Sequence, residues 1–271
     1  MPLRLLLSLV AALCAATRPP CAAACGPSDD AAQCTALEQL FKATGGSDWQ
    51  RKEGWLSQGT SYCRWAGVKC EGSAVVGLNL SKNSLSGKLP PVWPAFANLT
   101  ELNLHSNKIE GHINANLGRL TKLRDLNIYD NLISGTIPWE IGITRNLVGF
   151  RAAHNGLSGT IPCLGSLSHL EALHLFNNRL TGGLQLAELG QLPKLSQLDL
   201  ANNALTGSLN LAPSLCDFVN RTKTNMSVSP MTCNLSGLNM NFTCPLPCGM
   251  GPTVCNVACR TPRQPQQFDN P

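Results

Sequence analysis

At 271 residues and 43% hydrophobic content, the chain can bury a sizeable core, and its net charge of +5 is too mild for a nucleic-acid binder, which gathers Lys and Arg on one face. Thirteen cysteines and six N-x-S/T sequons weigh against a reducing compartment and toward a secreted chain. Residues 1–24 open with Arg4, continue with an apolar run and end in small residues, the pattern of a secretory signal peptide. Cleavage after Ala16 or Ala24 fits, and Ala22-Ala23-Ala24 favours the second; the charge then falls to +3 with the loss of Arg4 and Arg18. No later stretch has the roughly 20 apolar residues of a membrane helix, so the expected location is secreted, extracellular or at the cell surface.

Residues 25–74 read as an N-terminal lid. Ser28 or Asp29 can cap a helix on which Cys34, Leu37, Leu40 and Phe41 share one face, and Gly45-Gly46 ends it. Trp49, Trp55 and Trp65 follow in a segment that must cover the apolar end of whatever comes next. Cys63 and Cys70 are expected to close a short loop worth about 2 to 3 kcal/mol, and Cys25 with Cys34 is a second pairing.

Residues 75–210 repeat. Asn83, Asn107, Asn131, Asn155, Asn178 and Asn203 are separated by 24, 24, 24, 23 and 25 residues. Two positions after each Asn stands Leu or Ile, four after stands Gly, and six after stands Leu or Ile again. The best copy, LRDLNIYDNLISGTIP at 123–138, has its apolar residues at neither the helical period of about 3.6 nor a sustained period of two. One such copy cannot bury its own apolar side, so six must stack. The central L-x-L fits a short strand with alternate residues facing in and out, and parallel neighbours lie about 4.8 Å apart. The Asn amide can serve backbone groups at the bend, and the Gly tolerates a left-handed turn.

The words ALEQLFKATGGSDW, GW and CRWAGVKC resemble the N-terminal cap of plant-type leucine-rich-repeat proteins, and the six copies resemble their L-x-x-L-x-L-x-x-N-x-L-x-G-x-I-P repeat. The resemblance covers roughly residues 31 to 210. It implies an α/β repeat fold, a leucine-rich-repeat solenoid with parallel strands on the concave face, an irregular or 3₁₀ convex side and disulfide-bonded caps at both ends. Departures are Asn114, Gln185 and Asn210 in place of the closing Pro, and Ala152 where Leu or Ile stands elsewhere.

From Leu211 the period stops. Residues 211–260 hold Cys216, Cys233, Cys244, Cys248, Cys255 and Cys259, whose pairing the sequence leaves open. They look like a degenerate last repeat with a Cys-rich cap similar to protist surface leucine-rich-repeat proteins. Two C-x₃-C spacings raise zinc, but without a nearby His in a secreted chain disulfides are expected and no metal or other cofactor is assigned. The Pro- and Gln-rich residues 261–271 are expected to be disordered. Cys163, inside the fourth copy, is read either as a small buried hydrophobe or as an intermolecular disulfide partner. Asn79, Asn98, Asn220, Asn225, Asn234 and Asn241 are the glycosylation sequons.

No motif for a nucleophile, a metal-activated water or a phosphate cradle is present, and the chain is not read as an enzyme. The residues freed from core duty are those on the outward side of the strands. In the middle copies these are His105, Asn127, Tyr129, Asp130, Arg151, His154, His174 and Phe176, and exposed aromatics beside Arg on a rigid surface are favoured anchors for a partner. Glu101, Asp125 and Glu171 add opposite charge. Three His on the face also bring a pH-sensitive affinity into view. The expected function is secreted recognition of an extracellular protein or peptide, with carbohydrate as a further ligand class, in recognition, defence or signalling through a separate co-receptor. The alternatives are a structural cell-surface or matrix glycoprotein and an inhibitor of a secreted cell-wall hydrolase.

Overall fold

The computed structural model describes residues 25–183, 192–206 and 232–234. Helix α1 (Ala31–Ala43) starts at Asp30, whose backbone is extended and whose carboxylate accepts the Gln33 amide at 2.8 Å. The cap is thus one or two residues later than Ser28 or Asp29. Asp29 is occupied elsewhere, accepting from the Gly26 and Tyr62 amides and from the Ser61 hydroxyl. Cys34, Leu37 and Leu40 are buried on one side of α1, Thr44 closes its end on the Leu40 carbonyl, and left-handed Gly45 turns the chain away. Phe41, Trp49, Trp55 and Trp65 then pack ring on ring, with Trp49–Trp55 centroids 4.8 Å apart and Trp55–Trp65 4.9 Å apart. Cys25 is bonded to Cys34 and Cys63 to Cys70.

Strands of two kinds alternate from the lid onward: β1 (Val68–Glu71), β2 (Ala74–Asn79), β3 (Ser86–Lys88), β4 (Glu101–Asn103), β5 (Lys108–Glu110), β6 (Asp125–Asn127) and β7 (Ser134–Thr136). They continue as β8 (Gly149–Arg151), β9 (Gly156–Gly159), β10 (Ala172–His174), β11 (Arg179–Gly183), β12 (Gln197–Asp199), β13 (Ala204–Thr206) and β14 (Thr232–Asn234). The large, concave sheet runs β1-β2-β4-β6-β8-β10-β12-β14; β1 is antiparallel to β2, and every later pair is parallel. Register aligns Leu78, Leu102, Leu126, Phe150, Leu173 and Leu198, all 1% exposed or less, as the inner column of one continuous core. The short strands form β3-β5 and β7-β9-β11-β13, and 3₁₀ turns at Trp93–Ala95, Ala115–Arg119 and Trp139–Ile143 carry the convex side. Just before the 3₁₀ turn at Ala115–Arg119, Asn114 stands in place of the closing Pro and caps the turn, its carboxamide oxygen accepting from Asn116 N–H.

Each repeat Asn stitches two copies together. The Asn131 amide oxygen accepts from Ile109 N–H of the preceding copy, and its nitrogen donates to the carbonyls of Leu104, Ile128 and Tyr129. Asn107, Asn155, Asn178 and Asn203 repeat this pattern. Asn83 has no preceding copy and instead exchanges bonds with the backbone of Arg51, so the lid imitates a repeat. The lid also fixes Gly87, where φ is +82° and a Cβ would lie 2.6 Å from the Ala43 carbonyl oxygen.

Ile133, two after its repeat Asn, carries the apolar period as expected, 1% exposed, while its neighbour Leu132 is 59% exposed. Two readings change. Cys163 is an exposed free thiol, not a small buried hydrophobe, since it lies on the convex side with its carbonyl against Gly142. Ala153, which its place in the outward column would expose, is fully buried. The expected signal at 1–24, the tail at 261–271, and Gln185, Asn210, Cys216, Cys244, Cys248, Cys255, Cys259, Asn220, Asn225 and Asn241 lie outside the described residues. Of the expected C-terminal cap, β14 is described, and it continues the sheet as a seventh parallel strand with Cys233 paired to Leu198.

Candidate functional site

The outward face of β6, β8 and β10 is set by what the strand ladder leaves free. Just before each repeat Asn the chain turns through a left-handed residue, and Lys82, Ser106, Asp130, His154, Asn177 and Asn202 all have φ between 50° and 57°. Non-glycine residues adopt this conformation seldom, and Asn, Asp and His are enriched among those that do. Here the ladder continues past it, with His154 N–H donating to Phe176 O and Asp130 N–H to Ala153 O. Side chains at these bends stand at one margin of the concave sheet.

Tyr129, His154 and Phe176 converge there. The His154 ring lies edge-on to both others, 5.2 Å from Tyr129 and 5.1 Å from Phe176, and the Tyr and Phe centroids are 6.2 Å apart. Register explains the closeness. Ala153 sits between Tyr129 and Phe176 in the same column, and its small buried side chain lets the two rings lean together across an intervening strand. His154 is held by Asn177, whose amide nitrogen is 2.9 Å from Nε2, and Asn177 in turn accepts from Asn202 at 2.7 Å. Tyr129 N–H donates to the Asn127 carboxamide, so Asn127 positions the ring as an Asx turn.

Beside the rings, Arg151 reaches back across β8 to Asp125 on β6 at 3.3 Å. Gly149 opens the way, since a Cβ there would lie 2.5 Å from the Arg151 guanidinium and 2.8 Å from the Asp125 carboxylate. With side chains 36% and 46% exposed, this pair adds at most about 1 kcal/mol to stability, and its guanidinium stays within reach of a partner. His174 pairs in register with Arg151, and burial, then the Arg151 charge, push its pKa below the ordinary imidazole range. His105, farther toward the lid, is shifted the same way by burial and by Lys82, and its Nδ1 lies 3.0 Å from the Ser106 hydroxyl. Asp130 is exposed at the adjacent bend.

The face therefore gathers Tyr129, His154, Phe176, Arg151 and His174, leaves His105 and Asp130 at its lid-ward end, and gives Asn127 a supporting part. Sequence reasoning passed over Gly149 and gave Ala153, Asn177 and Asn202 places in the outward columns without a part in the site. Gly149 stands next to Asp125 in its column, and Ala153 stands between Tyr129 and Phe176 in its own, which was the signal that room is made there. Among the described residues no helix is long and apolar enough to cross a membrane.

A leucine-rich-repeat family model matches residues 98–120 and 122–142. A probable inactive receptor kinase of Arabidopsis thaliana is 44% identical over 68 residues, which are 25% of this chain and 10% of that protein. Among solved structures, the plant peptide hormone receptor RGFR1 in complex with RGF2 is 32% identical with a TM-score of 0.54, over 62% of this chain and 25% of that one. The BIR2 ectodomain from Arabidopsis thaliana is 26% identical with a TM-score of 0.57, over 66% of this chain and 95% of that one. The chain thus spans about a tenth of the curated relative and a quarter of the hormone receptor chain. Its repeat, its Asn ladder and these likenesses show a leucine-rich-repeat solenoid, similar to the ectodomains of plant leucine-rich-repeat receptors.

Proposed function

We propose that this chain is a secreted binding protein that takes an extracellular protein or peptide on its concave face, anchored at Tyr129, His154 and Phe176 with Arg151 beside them. The observation that carries this reading is the ring cluster itself. Three aromatic rings meet on a face whose strands are already held by the inner leucines and the Asn ladder, so the cluster is not needed to close the core. A rigid, partly exposed aromatic group beside an arginine is the composition in which binding energy concentrates. The likeness to a receptor solved with its peptide hormone supports a peptide as the ligand.

The test is partner capture from the secretions of the source, with the chain immobilised as it stands and with Tyr129, Arg151 and Phe176 all replaced by Ala. Capture that disappears in the triple variant, while its unfolding midpoint stays close to that of the parent, supports the concave site. Undiminished capture of every partner overturns it.

A further inference from the structure

Away from the concave face, cations recur on the stretches that lead from the convex side down into the long strands. Arg119, Lys122 and Arg124 precede β6, Arg145 precedes β8 and Lys194 precedes β12, and all five are exposed. The backbone stacks these stretches in order. Thr100, Arg124, Val148, Glu171 and Ser196 form a ladder in which the N–H of each later copy donates to the carbonyl of the one before, and the Asn146 carboxamide donates to the Thr121 carbonyl. From β6 to β12 are three strand spacings, roughly 14 Å at about 4.8 Å each. Among the described residues the ion pairs are Lys42–Glu38 and Arg151–Asp125, and neither involves these five. Lys122 donates to the Asn98 carboxamide at 2.7 Å. A second feature lies beside them. Trp139 is 65% exposed and Ile143 50%, both on the 3₁₀ turn that packs against the turn ending at Arg119. Counted from their repeat Asn, they stand in the columns of Ala115 and Arg119. Neither is needed to close the core, which Leu117 and Ile141 of the same two turns already fill.

We propose that this margin binds a linear acidic polysaccharide, one bearing carboxylates or sulfates, with a sugar ring stacked on Trp139 and the anionic groups on Arg119, Lys122, Arg124 and Arg145. Cations at one place in successive copies make a line along the solenoid axis, and a line fits a polymer whose charge also repeats. A compact acidic patch on a globular partner would meet only part of it. Three of the four cations are guanidinium groups, whose fork matches a carboxylate two bonds at a time. The indole face gives the C–H side of a sugar ring a flat apolar surface and keeps its N–H at the edge. The acids Glu101 and Asp199 on the concave columns repel a polyanion and hold it to the margin. This surface is separate from the ring cluster, because Arg124 stands before the start of β6, and Tyr129 and His154 stand beyond the ends of β6 and β8. Each exposed contact is weak alone and is screened over about 8 Å at physiological salt, so binding needs several at once and falls steeply as salt rises.

The test titrates the full chain by surface plasmon resonance against alginate as a polycarboxylate, dextran sulfate as a polysulfate and neutral dextran, each over a series of salt concentrations. At least one charged polymer binds, and the tighter of the two names the anionic group; neutral dextran does not bind. Arg119→Ser, Lys122→Ser and Arg145→Ser together lower the affinity about tenfold or more. Trp139→Ala alone lowers it about threefold or more. Lys88→Ser, Lys108→Ser and Arg179→Ser remove the same charge from the short-strand side and leave the affinity within about twofold, since they lie off the line. All the substituted side chains are exposed, and urea midpoints matching the parent's confirm that lost binding is not lost fold. Equal losses in the two triple variants would show that net charge alone is read, and would overturn the margin. Binding of neither charged polymer, or undiminished binding by the first triple or by Trp139→Ala, overturns it as well. Tighter binding of polyglutamate or of phosphatidylglycerol vesicles would give the surface to an acidic protein or to a membrane instead. The double variant Tyr129→Ala, Phe176→Ala keeps its polysaccharide affinity, so the concave site and the margin stand or fall separately.

Discussion

The copies built on β2 and β4 and those built on β6, β8 and β10 have one backbone and two kinds of surface. In both groups a leucine or phenylalanine fills the inner column and an Asn amide ties each copy to its neighbour. Outward, the first two offer Asn79, Ser81, Lys82, Asn103, His105 and Ser106, short or flexible polar groups of the kind any solvated sheet presents. The middle three offer Tyr129, Arg151, His154, His174 and Phe176, and they spend Gly149 and Ala153 to fit them together. Because the inner residues already close the fold, the outer ones are free to differ, and the proposed site lies where the copies differ.

The sharpest way to break this contrast is to strike the part the copies share. Asn131→Ala removes a buried amide that makes four hydrogen bonds to two copies and strands the backbone groups it served. At about 1 to 3 kcal/mol for each buried polar group left without a partner, the loss is about 3 kcal/mol or more, a large share of a marginal total. Urea unfolding measures it. Asn127→Ala, on the outward side of the same copy, should cost about 1 kcal/mol, since only one amide bond and a part-exposed group are at stake. Equal losses at the two positions would mean that the shared framework is not what holds the copies.

The same division explains what the sequence made legible. The inner column, the Asn role and the placement of the strands follow from spacing, because each repeated letter has one physical job in every copy. The lid helix was legible to within one or two residues, and its true cap, Asp30, was obscured by Asp29, whose carboxylate is committed to Tyr62 and Ser61 far along the chain. The site was legible as a set of columns and not as a cluster. That Tyr129 and Phe176 meet depends on a buried Ala153, and that Arg151 turns toward Asp125 depends on Gly149. These are packing facts between strands, invisible to a reading of one copy at a time. Cys163 failed for a simpler reason: it stands eight after its repeat Asn, a position on the exposed side of the earlier copies as well, where Pro91, Ala115 and Trp139 lie.

The complementary experiment strikes what the copies do not share. Phe176→Ala and Tyr129→Ala each remove one half-buried ring and its aromatic contacts, costing about 1 kcal/mol of stability. Partner affinity in the same variants should fall about tenfold or more, as truncation of an aromatic anchor does. Titration by surface plasmon resonance against a captured partner, alongside unfolding curves, separates the two effects. The corresponding change at the lid-ward end, His105→Ala, should alter affinity far less, and a comparable drop there would dissolve the distinction between the two groups of copies.

The smallest effect separates the groups by degree of burial and is read through pH. His174 is the more buried imidazole of the two that burial shifts, and Arg151 beside it opposes protonation, while Asp199 and Gln197 favour it. Its folded pKa lies below the ordinary value of 6.5, so the unfolded chain takes up the proton first. The neutral ring's contribution to stability is therefore fully present above about pH 6.5 and is lost as pH falls from there through the folded value. His105 is shifted in the same direction and adds a loss of the same sign. Urea midpoints taken from pH 7.5 to pH 5 should fall less steeply for His174→Gln than for the parent, with His105→Gln giving a smaller flattening. Parallel curves for parent and His174→Gln would show that acid sensitivity comes from elsewhere in the chain. A flattened stability curve with unchanged partner affinity across the same range would place His174 among the residues that support the face, leaving recognition to the rings beside it.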